Sequence, residues 1–487
     1  MIIKNIPQFR TDWKNQQGYE MSTWDEHFIG STNGETNGFY KMVNGIVNNI
    51  KADLKPKLQN AQDTQAIYEF LQNAADSHST ECAVIYDEDY FMVVNNGKPF
   101  SLKDIKAILN SFQGTKADKT KAENCHKIGR YGIGFKLAYR LTGKSDGVDE
   151  LFEKMAGPIL FSWHNKNQFN DLYNHQATNE LQYNSQFNTP AAAPWLMKIV
   201  LACFPSAPNE TVKNLGYEDK VVFPKEELGD LVGFLHKHQE QIEALDLQEG
   251  SLFFLKFGER KHEKLKSSLE NIKSGIAYSM NTLKTLNKVV LQDEVVEELE
   301  IEAEEFIIQP NTPEFKQIDP EFPFCPIRMV FGYQTETRQA KKLKDAPNLY
   351  QFFPMRNERH NLAFFVHSTS FAKVTDRTRL DDLGEANFET FKYLVAALQK
   401  KLTVHKAKDL QRFADIFKVI LLSDKSDNGI LINDYLYEPL LNYIRFNIPT
   451  NKGNFYPKDI VVVKNTRLPV EPMALGIDKE WFYWADP

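Results

Sequence analysis

The segment from Ala66 to Tyr139 constrains the fold most, because it holds three elements in fixed order: AIYEFLQNAADS, VVNNGKPFS and, about thirty residues on, KIGRYGIGFKLAY. In the first, Glu69, Asn73 and Asp76 stand at i, i+4 and i+7, so on a helix of about 3.6 residues per turn they share one narrow stripe. Ile67, Phe70, Leu71 and Ala74 take other faces. That pattern suits a helix packed on a sheet with its polar stripe turned into a cleft. Taken alone, the triplet suits a solvated helix face better, and it is the neighbouring elements that overturn that reading.

The third element, Gly129-Arg130-Tyr131-Gly132-Ile133-Gly134-Phe135, is a glycine loop running into an apolar segment with helical spacing (Phe135, Leu137, Ala138, Leu141). Glycines allow close backbone approach, so their amides can converge on phosphate oxygens while the following helix adds its positive end. No Gly-Lys-Ser/Thr closes the loop, which excludes a Walker A motif, and no clear strand precedes Gly129 as a dinucleotide fingerprint requires. A simple packing turn remains the alternative for a glycine loop on its own.

Order and spacing across all three elements resemble the GHKL ATPases, the superfamily of gyrase B, the ninety-kilodalton heat-shock chaperones, histidine kinases and MutL. Glu69-x-x-x-Asn73-x-x-Asp76 is similar to their asparagine box, Asn95-x-Gly97 to the first glycine box, and Gly129-x-x-Gly132-x-Gly134-Phe135 to the second. Gly114-Thr115-Lys116-Ala117 resembles the start of the chaperones' ATP lid, and Gly250-Ser251 resembles the Gly-Thr that opens the last pocket strand. The family's adenine-contacting Asp is replaced by Asn95 and its second glycine by Pro99, and the wording NNGKPFS is similar to the sacsin-like branch. An asparagine oxygen can still accept from adenine's amine, though as a neutral group.

The resemblance implies an α+β fold: a Bergerat-type ATPase sandwich, a mixed or antiparallel sheet with helices on one face, followed by a transducer-like α/β middle domain. It implies ATP and Mg²⁺ as cofactors. Glu69 takes the role of general base, Asn73 that of a neutral oxygen ligand to Mg²⁺, and Asp76 organises the helix and the base-side hydrogen bonds. Asn95, Gly97 and Ser251 fall at the base. Gly114, Thr115, Lys116, Gly129, Gly132, Ile133, Gly134, Phe135 and Lys136 fall at the phosphates or the lid. Arg377, with Arg379 second, is similar to a basic residue that middle domains send to the γ-phosphate, although a local pair with Asp376, Asp381 or Asp382 is the alternative.

Residues 1–35 read as a polar N-terminal arm and 36–310 as the ATPase domain, with a lid at about 101–128 and an Asn/Gln-rich insertion at about 145–225. AVIYDEDYFMVV at 83–94 alternates as two strands with a turn at Asp87-Glu88-Asp89. The acidic run 293–306 reads as a strand or hairpin with a solvated face. Five prolines between Pro310 and Pro326 mark a boundary. Residues 311–410 then form the middle domain and 411–487 a helical extension with an aromatic end, EWFYWADP, suited to a partner surface.

A length of 487 residues predicts two to four domains. A hydrophobic fraction of 42% is globular, and a net charge of −7 gives no sign of a general nucleic-acid surface, while leaving room for a local basic groove. Four scattered cysteines favour a reducing compartment, and neither a leader nor an apolar run long enough for a membrane span is visible, so a cytoplasmic protein is expected. The leading expectation is an ATP-hydrolysing conformational machine: lid closure and homodimerisation control a protein partner or effector, and the resemblance to sacsin-like modules implies a role in anti-phage defence. A protein-quality-control chaperone and an ATP-gated scaffold with negligible turnover are the alternatives. A histidine kinase would need a phosphoacceptor hairpin, and a gyrase or MutL reading would need further parts that the sequence does not display.

Overall fold

The computed structural model describes residues 63–101, 104, 137–142, 157–174, 195–199, 221–222, 227–258, 261–283, 285–296, 299–318, 325–337, 339–343, 348–355, 361–371, 380, 385–425, 430–445 and 447. The expected arm, nearly all of the lid and the C-terminal tail lie outside them. The described residues divide into two compact units, 63–273 with 283–296, and 274–282 with 299–447.

The first unit is built on a sheet of eight described strands: β1 (Glu81–Tyr86), β2 (Tyr90–Asn95), β3 (Ile159–Trp163), β4 (Trp195–Ile199), β5 (Val221–Val222), β6 (Gly250–Lys256), β7 (Lys288–Leu291) and β8 (Glu294–Val296). Their order is β5-β4-β3-β6-β2-β1-β7-β8. The β1–β7 pair is parallel and the others are antiparallel. The β1–β2 hairpin turns where the sequence placed it: the Asp87 carboxylate accepts from the Asp89 and Tyr90 amides, both at 2.9 Å. Such a side-chain acceptor is what makes aspartate a turn former.

Strand alternation sends Cys82, Val84, Phe91, Val93, Asn95, Ser162, Ser251 and Phe253 to one face of the sheet. Helix α1 (Asp63–Asp76) packs there through Phe70, whose ring lies 6.1 Å from Phe91 and 5.1 Å from Phe253. Burying Phe70 contributes about 2–3 kcal/mol. The short helix α2 (Tyr139–Thr142) follows in the chain.

The opposite face carries Ala83, Ile85, Met92, Val94, Phe161, Trp163, Leu252 and Phe254. Helices α3 (Lys166–Tyr173), α4 (Leu228–Lys237) and α5 (Gln239–Glu243) cover it, with Phe169 4.8 Å from Trp163 and Phe234 5.5 Å from Phe254. The α+β class therefore holds, and the expected helical face is joined by a second. The reason lies in β2 and β6, which are apolar on both sides; a cover on one side alone would leave Met92, Val94, Leu252 and Phe254 in water. Helix α6 (Lys261–Leu283) begins in this unit and gives residues 274–282 to the other.

In the second unit, β9 (Ile301–Ile308) and β10 (Ile327–Glu336) form a long antiparallel pair, with helix α7 (Pro313–Ile318) between them in sequence. The other edge of β10 receives β11 (Gln339–Lys341) and β14 (Phe365–Ser368), and β14 in turn pairs in parallel with β12 (Leu349–Gln351), next to β13 (Phe353–Pro354). One sheet face buries Met329, Phe331, Phe364 and Val366 against α8 (Glu385–Lys408), α9 (Leu410–Leu421) and the segment from α10 (Ile430–Ile432) through a π-helical turn (Asn433–Tyr437) to α11 (Glu438–Arg445). The other face buries Val330, Tyr350 and Phe365 around Tyr278 of α6. Gly332 stands opposite Phe365, where a Cβ would come within 2.3 Å of the ring, so only glycine lets the aromatic lie across β10.

The acidic run departs from a wholly solvated face. Glu304 on β9 is 4% exposed and accepts from His405 Nε2 at 2.8 Å and Arg412 Nε at 2.7 Å, with Lys401 at 3.6 Å. Arg412 also donates to the Ala303 carbonyl and pairs with Glu302. This knot ties β9 to α8 and α9. Glu304→Ala would leave the cations around a void and is expected to cost about 3–5 kcal/mol, read from the urea unfolding midpoint of the second unit. Glu304→Gln, which keeps one acceptor, should lose distinctly less.

Candidate functional site

Helix α1 brings Glu69, Asn73 and Asp76 to the same sheet face as Asn95 and Ser251. Glu69 is 6% exposed, whereas Asn73 and Asp76 are half-buried, so the stripe runs from the core toward solvent. The helix ends in a Schellman turn: Ser79 N–H bonds to the Ala74 carbonyl and His78 N–H to the Ala75 carbonyl, with His78 at a φ of 63°. That turn lays Ser77 and Ser79 against the first glycine box.

Hydrogen bonds stitch the two segments together. Ser79 Oγ donates to Asn95 Oδ1 at 2.9 Å, and Gly97 N–H donates to the same oxygen at 3.1 Å. The Lys98 amide donates to the Ser77 carbonyl at 2.8 Å. Asn96 Oδ1 accepts from the Thr80 and Glu81 amides, each at 2.9 Å. Gly97 is required by the closeness of this approach, since a Cβ there would lie 2.1 Å from Ser77 Oγ and 2.3 Å from Ser79 Oγ.

Across the sheet, Asn95 pairs with Ser251 on β6 and Ser251 with Ser162 on β3, making a polar row over three adjacent strands. Asn95 is 5% exposed, Ser251 2% and Ser162 0%. The two serine hydroxyls are 3.0 Å apart, and Ser162 Oγ accepts from the Phe100 amide at 2.9 Å. The segment after Gly97 thus folds back over this face, with the Phe100 ring edge-on to Phe253 at 5.8 Å. It ends in a reciprocal cap: Ser101 N–H and Oγ both donate to the Asp104 carboxylate, and the Asp104 amide donates back to Ser101 Oγ at 3.3 Å. Cys82, the neighbour of Asn95 on β1, is fully buried; burial pushes its thiol up to about 12, which makes it a small apolar neighbour and not a nucleophile.

The structure therefore gathers Glu69, Asn73, Asp76, Asn95, Gly97 and Ser251 on one face of the first unit. Gly114, Thr115, Lys116, Gly129, Gly132, Ile133, Gly134, Phe135, Lys136, Arg377 and Arg379 lie outside the described residues. Ser79 and Ser162 also bond on this face, and the motifs did not single them out. A serine inside the apolar strand ILFSW, in register with Ser251, was the available signal for Ser162; the signal for Ser79 was weaker, a hydroxyl three residues past the helix stripe. Among the described residues no three His, Cys, Asp or Glu side chains form a metal-ligand group. No described helix is long and apolar enough to cross a membrane.

Residues 62–148 match the family model described as "Histidine kinase-, DNA gyrase B-, and HSP90-like ATPase". Human sacsin is 31% identical over 97 residues, a stretch that covers 16% of this chain and 2% of sacsin's length. The resemblance read from the motifs is thus borne out over the segment that runs from α1 past the glycine loop, including its sacsin-like character, and over that segment the chain is similar to ATP-binding domains of this kind.

Two substitutions test the stitched turn in opposite directions. Gly97→Ala forces the backbone away from serines whose hydroxyls are already committed, and should lower the unfolding free energy by about 1–3 kcal/mol. His78→Gly relieves a left-handed backbone at an exposed residue and should raise the melting temperature, with a gain of about 1 kcal/mol.

Proposed function

We propose that the first unit binds a purine nucleoside triphosphate, ATP by its family, on the sheet face under α1 and hydrolyses it. The observation that carries this reading is the fixed placement of the α1 stripe beside the buried row Asn95–Ser251–Ser162, joined through Ser79 and Gly97. A buried polar row on an otherwise apolar face costs stability unless it is bonded, and one that retains free donor capacity suits a bound base.

In this reading the base rests against Asn95 and Ser251, and the triphosphate extends toward the glycine loop. Glu69, on the inner end of the stripe, accepts the proton of the attacking water, and its burial keeps it from being swamped by bulk solvent. Asn73 offers a neutral oxygen from the half-buried part of the helix. Mg²⁺, implied by the family, would neutralise phosphate charge; it typically completes its shell with phosphates and water, which fits a site where Asn73 offers one amide oxygen. Arg377 and Arg379 remain candidates for the γ-phosphate by resemblance, as do lid closure, homodimerisation and control of an effector in anti-phage defence or of a client as a chaperone. The scaffold reading, nucleotide binding with negligible turnover, is favoured by one feature: the neutral Asn95 where the family has a carboxylate.

The deciding measurement compares Mg²⁺-dependent ATP hydrolysis and nucleotide binding for the intact chain and Glu69→Ala. Turnover should fall by about 10²–10⁴-fold while binding changes only a few-fold. If the intact chain binds but does not turn over nucleotide, the scaffold reading replaces the hydrolytic one. If it binds no nucleotide, the pocket itself is refuted.

A further inference from the structure

Asn95 differs from a carboxylate in more than charge. A carboxylate at this position would have two acceptor oxygens, one for Ser79 and Gly97 and a second for a ligand. In Asn95 the single oxygen accepts from both Ser79 Oγ and the Gly97 amide. The amide orientation is not interchangeable: Gly97 N–H can only donate, so the atom facing it must be the oxygen. The remaining atom is the NH₂ group. It forms no hydrogen bond among the described residues, on a side chain that is 5% exposed.

The group left for a ligand is therefore a donor. Resting on the nucleotide reading above, we propose that the pocket prefers a 6-oxopurine nucleoside triphosphate over a 6-aminopurine one. Adenine brings an exocyclic amine to the position that a carboxylate would serve, and there two N–H donors would face each other with neither satisfied. A 6-oxopurine brings a carbonyl oxygen to the same place, and Asn95 Nδ2 donates to it. The two purine classes also differ at N1, which accepts in adenine and donates in the 6-oxopurines. Ser251, opposite Asn95 in the strand register, can serve either, because its hydroxyl shares a hydrogen bond with Ser162 Oγ in which either oxygen is able to donate. Asn95 thus sets the preference and Ser251 adapts to it.

Inosine triphosphate is the cleanest probe, because it differs from ATP only at the 6-position and its coupled N1 proton and lacks guanine's 2-amino group. Dissociation constants for ITP, GTP and ATP would be measured by calorimetry on the full chain and on Asn95→Asp. That variant keeps the acceptor for Ser79 and Gly97, and its fold would be checked by circular dichroism. The intact chain should bind ITP about tenfold or more tightly than ATP, the ratio expected when one base leaves a buried donor unpaired and the other does not. Asn95→Asp should reverse the order by a similar factor. ATP binding as tightly as ITP, or more so, in the intact chain overturns the preference while leaving the nucleotide pocket standing. An ITP-to-ATP ratio that Asn95→Asp leaves unchanged overturns the role of Asn95. Binding of none of the three refutes the nucleotide reading itself.

Discussion

One oxygen atom, Asn95 Oδ1, holds the junction between α1 and β2 in the first unit together. It accepts from the turn that ends α1 and from the glycine box that ends β2, so the helix and the strand cannot shift independently. The Lys98–Ser77 backbone bond and the Asn96 clamp on Thr80 and Glu81 lock the same junction from either side. The Schellman turn fixes where α1 stops, and its stop fixes the depth at which Glu69 sits. The position of the one buried acid on the helix stripe thus follows from hydrogen bonds made several residues away from it.

The second unit solves a related problem by the opposite means. Glu304 is as buried as Asn95, but histidine, arginine and lysine surround it, and Arg412 goes on to bond Glu302 and the Ala303 carbonyl. Its bonding capacity is consumed within the fold. Such a closed cluster fixes the angle between a sheet and the helices laid on it and offers nothing to a ligand. The contrast between a spent buried anion and a buried amide with donors to spare separates a polar group closed within the fold from one with bonding capacity left.

Helix α1, the β1–β2 hairpin, β6, α6, β7 and the strand and helix pattern from 327 to 408 were legible in the sequence because each has a clear period or a turn residue with a mechanism. Asp87 announced its turn, and the i, i+4, i+7 spacing set Glu69, Asn73 and Asp76 on one stripe of α1. The cover on the second sheet face was harder to read. Helix α3 falls in a stretch that looked like an insertion, and only the two-sided apolarity of VVN and FFL hinted that a partner layer must exist. The burial of Glu304 was illegible for a different reason: its cations stand about 100 residues away, and no local pattern distinguishes it from the exposed Glu305 region around it. Sequence likewise identified Asn95 as a departure from a carboxylate. Which of its two polar atoms was already engaged depended on Ser79 and Gly97 meeting in space.

The parallel pairing of β1 with β7 has a consequence in time. The Tyr86 amide on β1 reaches the Gln292 side chain just past β7, 206 residues further along the chain. At ordinary synthesis rates that interval takes about 10–40 s to emerge from a ribosome. Throughout it the β1–β2 hairpin, apolar on both faces, lacks β7 on one edge, and for most of it lacks β6 on the other, and bare strand edges of this kind recruit other chains. The nascent protein therefore passes through a window in which its most conspicuous segment is also its stickiest, and that window closes only when the far end of the unit arrives.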